Sequence, residues 1–185
     1  MSLVSDEGRW DRWAAEARVE EAAASRSREG WLRQAAAEDA TLAGTLVDLA
    51  ERGAPTVLTM RSGRRLRAAI WRVGADCVAV RLDDRRVSWL ALAAVAAIGA
   101  EPGGHTLPTG TRRVESEVTL VDVLGDLVAD QATVAVFLGD MTDPLRGRLV
   151  GGGRDIVRLV SSGATSDEVV IAVQAVSEVV LVDSG

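Results

Sequence analysis

The chain has 185 residues, 48% hydrophobic and 26% charged, with a formal net charge of −6. That is room for one large domain or two small ones, with enough apolar mass for a core. The negative balance argues against indiscriminate adhesion to nucleic acid or anionic membrane. A single Cys excludes an internal disulfide and fits a reducing compartment. No apolar run approaches the about 20 residues needed to cross a bilayer, and MSLVSDEGRW lacks the apolar stretch of a secretory signal. The expected location is the cytoplasm. All 21 basic residues are Arg, and Lys, Asn and Tyr are absent. This bias fits GC-rich coding, so an Arg cluster is not by itself a sign of guanidinium chemistry.

Residues 6–28 are Ala-rich, charged and free of Pro, which predicts a helix. Trp10, Trp13, Ala14 and Ala17 share one face of it. Gly30 is the expected break. A second helix is predicted from Trp31 to Arg52, with Trp31, Ala35, Leu42, Leu46 and Leu49 as its stripe and Gly53 as its C-terminal stop.

From Pro55 the pattern turns to short strands. Val57 to Met60 reads as the first, Ser62-Gly63 as a tight turn and Arg65 to Val73 as a longer second strand. Gly74-Ala75 turns the chain into a third strand around Val78, Val80 and Leu82. Asp83-Asp84 precedes a fourth strand from Val87 to Leu92, and a brief fifth ends at Ile98. The Gly and Pro density of EPGGHTLPTG marks residues 101–117 as a linker. His105 lies there with no second metal-ligating residue beside it.

The pattern then returns. Leu120, Leu124 and Leu127 take the places of Leu42, Leu46 and Leu49. Leu145, Gly147 and Leu149 take those of Leu66, Ala68 and Ile70, and Gly153 and Asp155 those of Gly74 and Asp76. VVIAVQAVSEV from Val169 aligns with SWLALAAVAAI from Ser88. Fixed order, with length changes only at turns, identifies an internal duplication. The expected domains are a helical segment over 1–40, a first repeat over 41–100, the linker, and a second repeat over 118–185.

The segments VLTMRSGRRLRAAIWRVGADCVAVRL and VFLGDMTDPLRGRLVGGGRDIVRLV resemble Sm-like chains, within the wider group of SH3-like small barrels. The carrying positions are a small residue in the bent second strand, Gly147 or Ala68, and an Asp in the following turn, Asp76 or Asp155. The resemblance implies a mainly β fold with α: two tandem five-stranded barrels, each led by a helix, behind the N-terminal helical segment. It does not extend to the RNA pocket of such proteins. The chain has no Asn, and Leu90 to Ile98 holds no Arg-Gly pair.

Charge divides unevenly between the repeats. Residues 54–100 hold eight Arg against three Asp, an excess of five positive charges, whereas residues 118–185 hold four Arg against ten acids. The candidate binding residues are Arg61, Arg64, Arg65, Arg67, Trp71, Arg72 and Trp89. Exposed together, they would stack bases and neutralise phosphates; covered, the two Trp would be packing residues with Arg as a solvated fringe. One His, one Cys and no Lys or Tyr leave few nucleophile–base pairs to assemble. Cys77 reads as a semi-buried strand residue. Gly151-Gly152-Gly153 aligns with a hairpin turn and lacks the following Lys and helix of a phosphate loop. The expectation is a non-enzymatic module without metal or cofactor, acting through a protein partner or self-association. Nucleic-acid binding through the first repeat is the alternative, and no membrane role is expected.

Overall fold

The computed structural model describes residues 18, 20–22, 24–32, 34–35, 37–82, 86–101, 106–162 and 167–182. Trp10, Trp13, Asp83, Asp84 and His105 lie outside them. The chain forms two compact units, Met1–Ala40 and Thr41–Gly185. In the first, the described residues from 18 to 38 are helical; Gly30 is within the helix rather than at a break. The expected 31–52 helix is instead divided at Asp39–Thr41, where the Thr41 hydroxyl accepts the Gly44 N–H and starts a new helix. Trp31 is 71% exposed.

The second unit contains helix α1 (Leu42–Arg52) followed by strands β1 (Pro55–Met60), β2 (Arg65–Val73), β3 (Cys77–Leu82), β4 (Val87–Ala91) and β5 (Val95–Ala100). Helix α2 (Leu120–Ala129) then precedes β6 (Thr133–Leu138), β7 (Leu145–Gly152), β8 (Ile156–Ser161), β9 (Glu168–Ala172) and β10 (Val176–Leu181). A 3-10 turn, Leu92–Ala94 or Val173–Ala175, joins the last two strands of each half. Irregularities recur with the elements. Both long strands shift register at matching points, between Ile70 and Arg72 and between Leu149 and Gly151. The carbonyls of Asp76 and Asp155 accept the N–H of Leu92 and Val173, each at 2.8 Å.

Two separate barrels do not form. Among the described residues, ten strands join one open antiparallel sheet in the order β5-β1-β2-β3-β4-β10-β6-β7-β8-β9. Each half contributes the same five-strand arrangement. The last strand of the second half, β10, pairs with β4 of the first, in register Glu178↔Leu90, Val179↔Trp89 and Val180↔Ser88. The physical reason lies in β4, which is apolar on both faces. Leu90 belongs to the first core, with Leu46, Leu58, Ile70 and Val80, while Trp89 and Ala91 pack on the second, with Leu124, Val136, Leu149 and Val179. Burying both faces requires the other half.

The segment expected to be a linker is tied down at several points. The Gly110 carbonyl accepts the Thr41 N–H, its own N–H donates to Asp48, and Arg112 lies 3.0 Å from Glu51. Further on, Val118 accepts the Ala75 N–H, and Asp76 accepts the Leu120 N–H at 2.7 Å. The start of α2 is thus fixed to the β2–β3 turn. Thr119 and Asp122 complete the cap reciprocally, and these hydrogen bonds lower the Asp122 pKa.

Two glycines carry opposite constraints. A Cβ at Gly147 would strike the Val160 carbonyl, whereas one at Gly125, within α2, meets nothing within 4 Å. Gly147→Ala is expected to destabilise by about 2 kcal/mol through overpacking. Gly125→Ala should stabilise by about 0.5–1 kcal/mol, because Ala has the higher helix propensity. Chemical denaturation of both variants checks the contrast.

Candidate functional site

The predicted Arg and Trp residues do not form one surface. Arg64 turns into the seam between the halves, where its Nη1 donates to Glu178 Oε2 at 2.7 Å. Glu178 is 1% exposed. Its second oxygen accepts the Ser88 hydroxyl at 2.9 Å. The Arg64 guanidinium also stacks over Phe137, 3.7 Å from the ring centre. β10 therefore carries its one acidic side chain, buried, directly opposite β4, with both carboxylate oxygens satisfied by the first half. Phe137 is paired with Glu178 in the second half, so Arg64 meets that half at two adjacent residues.

Trp89 is likewise half-buried, against the second core. Arg61 donates its N–H to the Ala94 carbonyl and borders a shallow cavity of ≈ 150 Å³ with Gly139, Asp140 and Gln174.

What remains outside is a smaller cluster on β2 and β3. Trp71 sits at the register shift of β2 and is 58% exposed. The β2–β3 pairing places Arg81 opposite Ala69, and its guanidinium lies 5.8 Å from the Trp71 ring. Arg65, Arg67 and Arg72 are exposed along the same strand. Arg67 is neutralised by Glu101, at 2.8 Å. Arg81, outside the predicted binding set, belongs with Trp71. The signal for it was present: it falls on the same face of the third strand as Cys77 and Ala79, beside the long second strand.

Cys77 is buried, and burial, followed by the nearby charges of Asp76 and Asp122, pushes its thiol up to about 11. It stays protonated at neutral pH and is a weak nucleophile. Among the described residues no group of His, Cys, Asp or Glu has the arrangement to hold a metal ion. Among them, too, no helix is long and apolar enough to cross a membrane.

The chemistry this arrangement supports is recognition through backbone edges and a small cationic-aromatic patch. β5 and β9 end the sheet, so each offers one row of backbone N–H and C=O groups to a further strand. No family model matches the chain, and no curated protein or solved structure was found to be similar to it.

The seam makes a distinct prediction. Arg64→Ala leaves Glu178 buried without its counter-charge and should cost about 3 kcal/mol. Adding Glu178→Leu removes the stranded carboxylate and should recover most of that loss, a non-additivity that urea denaturation of the two single variants and the double variant measures.

Proposed function

We propose that the protein is a non-enzymatic binding and assembly module that works through protein–protein contacts at the ends of its sheet. The observation carrying this reading is the pair of end strands, β5 and β9. β9 reads Glu168-Val-Val-Ile-Ala172, with Val170 57% exposed. β5 presents the small side chains Ala96, Ala97 and Ala100. Natural edge strands are usually protected by charge, Pro or a covering segment. An apolar strand at one end and a small-residue strand at the other are each suited to accepting another strand by backbone pairing. The cytoplasm is the compartment in which we place this activity, on the single Cys. A kinship of each half with Sm-like chains is part of the same proposal. It is supported by Gly147, where a side chain would strike the neighbouring strand, and by the matching roles of Asp76 and Asp155.

Capture from cell extract tests the reading. Tagged wild-type protein should retain a partner that is lost with Val170→Arg or Ala97→Glu, each of which places a charge on one end strand. Retention by both variants would show that the end strands are not the contact.

A second reading rests on Trp71 and Arg81, an exposed indole with a guanidinium near its face. Such a pair stacks unpaired bases, with Arg65 and Arg72 positioned for phosphates. On this reading single-stranded nucleic acid binds with an affinity that falls steeply with salt. Trp71→Ala should weaken it about tenfold, since one base stack contributes about 1–3 kcal/mol. Arg64→Ala should leave it unchanged. Absence of binding at low salt removes this reading.

A further inference from the structure

The first unit carries a surface of its own, apart from the sheet. Its described residues from 18 to 38 are helical and, but for Ala35, exposed. Trp31 is 71% and Leu32 58% exposed. A single helix of this length is marginal in water, and protein helices are held mainly by packing one face. That face can be identified. Glu21, Ala24, Arg28, Trp31 and Ala35 follow one another at alternating intervals of three and four residues, which places them on one stripe. Trp10, Ala14 and Ala17 lie outside the described residues. In sequence they continue the same spacing through the segment predicted to be helical.

The stripe is complementary to its own reverse. With Glu21 of one copy facing Ala24 of a second, antiparallel copy, Arg28 meets Ala17, Trp31 meets Ala14 and Ala35 meets Trp10. Every layer joins one long side chain to one alanine, the alternation by which facing helices interdigitate. A parallel pair in register would instead stack Trp on Trp and set Glu21 and Arg28 each against its own like charge. We infer that two copies of this chain join through this helix as an antiparallel pair related by a two-fold axis.

Charge supports the same orientation. Among the described residues neither Glu21 nor Arg28 has an ion-pair partner. Within one helix they are seven residues apart, about 10 Å along the axis and too far for direct pairing. In the antiparallel pair Glu21 lies about 6 Å along the axis from Arg28 of the other copy, within reach of two long side chains. The two-fold axis makes this contact twice. Charged residues at such positions add little stability; their effect is on register and orientation. The pairing does not use β5 or β9, and it doubles them. A partner bound at both copies is then held with avidity.

Sedimentation velocity of the full chain tests the inference. The wild type is expected at the mass of two chains, and Val170→Arg and Ala97→Glu should leave it there. Trp31→Glu should fall to one chain while the urea transition of the sheet is unchanged. Glu21→Arg alone and Arg28→Glu alone each bring like charges together twice, and each should weaken the dimer at least about tenfold. Mixed in equal amounts, these two variants regain both oppositely charged contacts and should pair as tightly as the wild type. The chain carrying both reversals should do the same with itself. A wild type that remains one chain at several hundred micromolar overturns the inference. So does a dimer that survives Trp31→Glu, or charge variants that behave alike alone and mixed. A dimer lost instead with Val170→Arg or Ala97→Glu would place the contact at the sheet ends and overturn it as well.

Discussion

The pairing of β4 with β10 is the constraint on which the rest of the second unit depends. A strand with apolar side chains on both faces must be covered on both, and β4 reaches this by lying at the boundary of two cores. Leu90 faces the first core and Trp89 the second. The backbone pairs in the plane of the sheet, and the only acidic side chain of β10 is buried there with an arginine, a serine and an aromatic ring as neighbours. Exchanging these polar partners for apolar ones would cost little stability in principle. What they add is polar complementarity at this position, where Glu178 meets Arg64 and Ser88 of the first half.

The open ends of the sheet follow from using those strands internally. A half whose first and last strands are both committed to the seam or to its own neighbours has one end left. Two such halves joined through one seam leave two unlike ends. The duplicated chain is also uneven in charge, with a basic first half and an acidic second half. The surface left for a different ligand is narrow, because Arg64 and Trp89 are spent on the seam and Glu101 neutralises Arg67.

The strand boundaries were legible because short strands between turns announce themselves. Arg65 to Val73 alternates, Gly74 and Gly153 close equivalent hairpins, and the apolar places recur between copies. Local signals do not report which strand pairs with which across a repeat boundary. The alternation in Val87–Ala91 is the same whether Trp89 faces solvent, its own half or the other half, so the expectation of two separate barrels gave way to one sheet. For the same reason Arg64 and Trp89 were grouped with Trp71. All three lie in one Arg- and Trp-rich stretch of sequence, and only the position of Glu178, 114 residues after Arg64, separates them. The described residues of the linker are neither helix nor strand, as its Gly/Pro content suggests. It did not reveal the strap, whose partners, Asp48 and Asp76, lie in other elements.

The central claim is that the β4–β10 seam is filled within the chain while β5 and β9 stand at the open ends of the sheet. Amide hydrogen exchange, resolved by strand, tests it most directly. The account predicts that β4 and β10 are protected, while the outward amides of β5 and β9 exchange rapidly in dilute protein. Rapid exchange of β4 and β10, or protection of the outward amides of β5 and β9 equal to theirs, would contradict it.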